Sequence, residues 1–117
     1  MRKTKDSGDI GETLAENILK EKGYTIVEKN FRSRFGEIDI VAKDGDELVF
    51  VEVKTRWSNR YGKPEEAVTA KKLSRIKRTI DYYLLINKVK MKYRLEVVAI
   101  QIENNEVKSV KIIPVVA

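Results

Sequence analysis

Residues 36–56 read GEIDIVAKDGDELVFVEVKTR, two alternating runs rich in Val and Ile on either side of Lys43-Asp44-Gly45-Asp46. Period-two alternation broken by an Asp-Gly pair predicts a β-hairpin. With Asp44 and Gly45 as the two central turn residues, Ile38 faces Val51, Asp39 faces Phe50 and Glu37 faces Glu52. Successive side chains alternate faces, so Glu37, Asp39, Phe50, Glu52 and Lys54 fall on one side of the sheet. Ile38, Ile40, Val49, Val51 and Val53 fall on the other, which is assigned to the core. Like charges opposed on a sheet repel unless a cation lies between them. The first face therefore reads as a Mg²⁺ or Mn²⁺ site held by carboxylates on adjacent strands, with Lys54 placed to orient a water or offset developing negative charge. The plain alternative is a surface ion pair between Glu52 and Lys54 on a solvated face.

Working outward, Ile10, Leu14, Ala15, Ile18 and Leu19 recur at helical spacing over residues 9 to 22, and Gly23 supplies the stop. Residues 24–32 are rich in β-formers and predict a strand. Residues 59–64 read as a loop, with Pro64 at a helix start. Leu73, Ile76, Ile80, Tyr83 and Leu84 then mark a second helix over residues 65–86. YRLEVVAIQI predicts a strand, Asn104-Asn105 a turn, and VKSVKIIPVV a last strand or extended tail. The order α-β-β-β-α-β-β makes one α/β domain over residues 1–117, with 1–8 expected to be flexible and the core over residues 9–102.

With no cysteine and no histidine, thiolate chemistry, disulfides and imidazole bases are excluded, and any catalysis must run on carboxylates, lysines or a hard cation. Residues 54–94 hold 13 Lys or Arg against 3 Asp or Glu, whereas the rest of the chain is net acidic. A basic segment beside an acidic one suits a polyanion-binding enzyme with an acidic metal pocket, and nucleic acid is the expected partner. No apolar run is long enough for a membrane helix, and a cytoplasmic protein with no membrane partner is expected.

The spacing from Asp39 to Glu52-Val53-Lys54 across a tight turn resembles the PD-(D/E)XK nuclease superfamily. That resemblance implies a restriction-endonuclease-like core of α-β-β-β-α-β order, with a mixed central sheet flanked by helices. More closely, GEIDIVA, FVEVKTR, AVTAKK and RLEVVAI resemble the bacterial YraN (UPF0102) family, related in fold to archaeal Holliday-junction resolvases, over residues 8–100. The chain departs from these patterns at Ile38, where the superfamily has Pro, and at Leu95-Glu96, where the family usually reads Phe-Asp.

The resemblance implies that Asp39 and Glu52 ligate the metal, with the backbone carbonyl of Val53 as a third ligand, and that Lys54 is the catalytic lysine. Glu12, in GETLAE, matches the acidic residue that related enzymes bring to the metal from the first helix. Glu37 belongs to the GEID motif, where a supporting role, a substrate contact and metal ligation are all open, and Lys72 corresponds to a recurrent lysine suited to a phosphate or site contact. Lys71, Arg75 and Arg78 lie opposite the apolar stripe and read as solvated. Arg56, Trp57, Arg60 and Tyr61 interleave basic and aromatic groups, as phosphates and unpaired bases require, although Trp57 equally suits packing against the domain or a dimer partner. The expected function is a Mg²⁺- or Mn²⁺-dependent endonuclease acting on branched or single-stranded DNA. A nucleic-acid-binding module of the same fold without turnover is the alternative, and resolvase-like relatives suggest a homodimer.

Overall fold

The computed structural model describes residues 2–57 and 69–115, with side chains from Ile10 onward. Arg60, Tyr61 and the Pro64 helix start lie outside the described residues. The elements are α1 (Arg2–Glu21), β1 (Thr25–Ser33), β2 (Gly36–Asp44), β3 (Glu47–Arg56), α2 (Ala70–Ile86), β4 (Lys92–Glu103) and β5 (Glu106–Val115). They form one mixed sheet of order β1-β2-β3-β4-β5. Only β3 and β4 run parallel, and α2 lies on the crossover that parallel neighbours require. Among the described residues no helix is long and apolar enough to cross a membrane.

α1 ends where Gly23, at φ 97°, adopts the left-handed conformation. The Tyr24 and Gly23 N–H groups then bond back to the Leu19 and Lys20 carbonyls at 3.0 and 2.9 Å. The helix starts at Arg2, ahead of the expected residue 9; residues 2–8 contain no proline to stop it. Ala15 and Leu19 of its apolar stripe are fully buried, but Ile10 is exposed. Gly11 marks a close approach, because a methyl group there would stand 2.1 Å from Thr55 Oγ1 on β3. Gly11→Ala gains about 1 kcal/mol of helix propensity but meets an overpacking cost of about 1–3 kcal/mol. We expect a net loss of about 1 kcal/mol, read by chemical denaturation; a net gain would show that the contact is soft.

The β2–β3 hairpin forms, but its register differs from expectation. Asp44 pairs with Glu47 and Ile40 with Val51. The turn therefore centres on Gly45-Asp46, with Gly45 at φ 63° and Asp46 not at positive φ. Glycine at the first central position gives the type II′ turn, so Gly45 shifts the pairing by two residues. A two-residue shift preserves the faces near the turn but removes the expected pairing of Glu37 with Glu52.

The other departure lies at Asp39. Ile40, Ala42, Val49 and Val51 pack under α1 with Ala15, Leu19 and Val98. Ile38, expected beside Ile40, packs instead under α2 with Val41, Phe50, Ile76, Ile80 and Tyr83. The neighbouring strand does the same: Lys29, paired with Ile40, reaches Glu16 on α1 at 3.0 Å, whereas Phe31, paired with Ile38, packs on Tyr83. Between these pairs stand Asn30, at the left-handed φ of 56°, and Asp39. The twist there moves both strands' side chains across the sheet, a local effect that strict alternation misses. Both sheet faces are thus core, and the carboxylates occupy only the end away from the turn.

α2 begins at Ala70, five residues later than expected. Thr69 takes extended backbone, and its hydroxyl accepts the Lys72 N–H at 3.2 Å, which makes it the N-cap. At the far end of β4, Asn104 and Asn105 both adopt positive φ and form the expected turn into β5, which is a strand.

Candidate active site

The start of β2, the second half of β3, the middle of α1 and the first turns of α2 converge on a cavity of about 730 Å³. Asp39, Glu52, Val53, Lys54, Glu12 and Lys72 all line it. The β2–β3 ladder ends at Ile40–Val51, and beyond it Asp39 Oδ2 accepts the Val53 N–H at 2.7 Å. That bond fixes the carboxylate against β3 and supplies the backbone donor with a partner. Glu52, only 7% exposed, follows Phe50 onto the α2 side of β3. Its Oε2 is held by Lys72 Nζ at 2.9 Å and Lys54 Nζ at 3.4 Å.

Burial pushes the Asp39 carboxyl up to about 8, helped by the negative charges of Glu52 and Glu12 and by a hydrogen bond to Glu52; only the Val53 N–H works the other way. The charge of Glu52 thus works against ionisation of Asp39, as like charges in a shared pocket do. Burial also lowers Lys54, as does the proximity of Lys72. Burial opposes the charge on Lys72 too, but its contacts with Lys54 and Glu52 outweigh this and raise it. Lys72 is the firm cation of the pair, and Lys54 the one that gives up its proton more readily.

Each expected site residue among the described residues has a definite place. Glu12 reaches the cavity because Gly11 lets α1 close on Thr55, and its charge is felt at Asp39. Glu37 borders the cavity, but its carboxylate is paired with Arg32 at 2.9 Å and both are largely exposed. Trp57 lines the cavity and is 41% exposed. Arg56 stands outside the wall. Lys71 and Arg75, read as merely solvated, line the cavity because the first turns of α2 overhang it. Their solvent-facing side is therefore also the cavity's rim. Thr55 and Gly11 escaped notice, although a glycine inside an apolar helical pattern is a signal of close packing.

A divalent cation can be tested against these groups. Among the described residues no group of three or more carboxylates gathers into a ready cation nest. The donors on offer are Asp39, Glu52 and the Val53 carbonyl, a sparse set that suits Mg²⁺ or Mn²⁺, since Mg²⁺ retains most of its waters. Burial and the charges of Glu52 and Glu12 raise the Asp39 carboxyl, so positive charge is wanted there and the residues present fit such an ion.

Fold and site together define a restriction-endonuclease-like α/β domain carrying an Asp, Glu and Lys centre at one end of its hairpin. The chain belongs to the Uncharacterised protein family UPF0102, whose model matches residues 11–100. It is 43% identical to a UPF0102 protein of Clostridium kluyveri over 111 residues, which cover 93% of this chain and 91% of that one. A UPF0102 protein of Clostridium botulinum (strain Kyoto) is 45% identical over 112 residues, with the same coverage. One from Clostridium acetobutylicum is 53% identical over 83 residues, 71% of this chain and 68% of the relative.

Proposed function

We propose that this protein is a Mg²⁺- or Mn²⁺-dependent endonuclease that hydrolyses DNA phosphodiesters. The observation that carries the reading is the pair of crowded carboxyls, Asp39 and Glu52, beside a lysine whose pKa is lowered, inside a cavity with a basic rim. When bound, the cation would supply Lewis acidity, polarising the phosphate and easing in-line attack by water. Lys54 takes up or returns a proton at Nζ and offsets charge on the phosphoryl oxygens, a role its lowered pKa suits. Glu12 adds negative charge that holds the cation and tightens the competition at Asp39.

The anionic backbone is received by α2. Its first turn carries Lys71 and Lys72 and no acidic residue, the reverse of what the helix dipole favours. Such a turn is costly alone and favourable once a phosphate sits before it. Arg75, one turn on, extends the same rim.

Cleavage of branched, flapped, single-stranded and duplex DNA with either metal tests the reading, with Asp39→Ala run in parallel. Metal-dependent cleavage by the wild type, absent in the variant, is expected; no cleavage of any substrate, or equal cleavage by both proteins, would refute it. A second reading has its own observation. Glu52 is already satisfied by two lysines, an arrangement a binding module without turnover would also use. Salt-dependent DNA binding indifferent to metal and to Glu52→Gln would favour that reading.

A further inference from the structure

Beside the cavity, the tip of the β1–β2 hairpin and the middle of α2 enclose a second groove of about 660 Å³. Phe35 and Tyr82 line it with ring centroids 6.0 Å apart at 64°, and the Arg34 guanidinium lies 5.0 Å from the Phe35 centroid. Arg78 and Leu85 complete the wall, and Asp81 is its one acidic member. Tyr82 is 38% exposed and Leu85 74%. Large apolar groups left open in this way mark a surface that something covers.

The groove adjoins the cavity along two elements. Gly36, the residue after Phe35, lines the cavity, and a Cβ on Gly36 would lie 3.8 Å from the Arg75 Cβ. Along α2, Lys72 and Arg75 line the cavity and Arg78 the groove, at three-residue spacing that makes them neighbours on the helix surface. A row of cations therefore leads from the crowded carboxyls to the aromatic pair. Cations in a row match a phosphate backbone, and open ring faces match bases. In a duplex those base faces are covered by their neighbours, so only an unpaired base can present one to Phe35 or Tyr82.

We propose that the groove binds an unpaired nucleic-acid segment continuous with the phosphodiester held in the cavity, which makes a duplex or branch carrying a single-stranded tail the preferred substrate. This rests on the function proposed above. The test uses the full chain at low salt with Ca²⁺, a blunt duplex, and the same duplex with a tail containing 2-aminopurine, whose fluorescence falls when it stacks. The wild type is expected to bind the tailed duplex at least about tenfold tighter and to quench the probe, since each stacked base contributes substantially. The Phe35→Leu/Tyr82→Leu pair keeps apolar volume but no ring. It is expected to lose both the preference and the quenching while binding blunt duplex as the wild type does.

Arg78→Gln, on the exposed side of α2, is expected to weaken tailed binding several-fold, and provides the test should the double variant not fold. Equal binding of tailed and blunt duplexes, or variants that keep the preference, would overturn the groove while leaving the cavity's function standing. A wild type that binds no nucleic acid would overturn both. A homodimer in light scattering that the leucine pair dissociates would assign the groove to a second copy of this chain and overturn the proposal.

Discussion

Asp39→Asn is expected to make the metal-free protein more stable at alkaline pH while removing its response to Mn²⁺. The Asp39 carboxyl ordinarily titrates at 3.8 and is pushed up to about 8 in the folded chain, chiefly by burial and then by Glu52. Between these values the folded state holds a proton that the unfolded state has released, so metal-free stability falls as pH rises from about 4 to about 8. Asparagine keeps an acceptor for the Val53 N–H but cannot ionise. The variant should therefore lose this part of the slope and exceed the wild type by about 2 kcal/mol at pH 8, less than full linkage because the site relaxes around the ionised carboxylate. Mn²⁺ at about 100 times its dissociation constant should stabilise the wild type by about 2.7 kcal/mol and the variant by almost nothing. Cleavage should fall by about 10³-fold or more. Thermal melts from pH 5 to 9, with and without Mn²⁺, read the first two effects; parallel slopes in both proteins would contradict them.

The second large effect lies in the structural network at the opposite end of the hairpin. Arg94 donates to Glu96 Oε2 at 3.1 Å, to Asp44 Oδ2 at 2.8 Å, to the Tyr24 hydroxyl oxygen at 2.8 Å, and to Glu47. The Tyr24 hydroxyl in turn donates to Glu96 Oε1 at 3.1 Å. One guanidinium thus ties the exit of α1, both sides of the hairpin turn and β4 together, and its contacts with Asp44 and Glu96 raise its own pKa further. Glu96 is 6% exposed, and without Arg94 its charge would be stranded in the sheet. Removing one partner of a buried pair costs about 3–5 kcal/mol. Arg94→Leu should cost about 3 kcal/mol, the lower end, because Asp44 and Glu47 can turn to solvent. That corresponds to a Tm lower by about 10 °C. Arg94→Leu with Glu96→Leu should recover part of the loss; a single variant within about 0.5 kcal/mol of wild type would show the network to be idle.

Much of this molecule is readable from residue pattern, and the failures have local causes. The α-β-β-β-α-β-β order follows from periodicity and from Gly23 and the Asn104-Asn105 turn, which act through backbone conformation alone. Asp39, Glu52, Lys54, Lys72 and Glu12 line one cavity; on β3 the alternation that puts Glu52 on the side of Phe50 survives the two-residue shift in register, and Lys72 and Glu12 come to it from the helices. The shift itself escaped because Asp44-Gly45 and Gly45-Asp46 are both good turn pairs, and the sign of φ at Asp44, positive only in the first, separates them. The change of face at Asp39 could not be seen because it depends on Asn30, on a different strand, adopting a left-handed backbone. Lys71 and Arg75 are exposed, as expected, and also line the cavity, because a helical wheel separates buried from open positions but does not say what the open side overlooks.

Everything proposed for the cavity depends on a divalent cation binding between the Asp39 and Glu52 carboxyls. A crystal of the protein soaked in Mn²⁺, with anomalous differences collected near the manganese edge, tests this most directly. A peak is expected between Asp39 and Glu52, about 2.1 Å from an oxygen of each, with Lys72 Nζ displaced from the 2.9 Å contact it makes with Glu52. A map with no peak there at high Mn²⁺, and Lys72 still on Glu52, would contradict it.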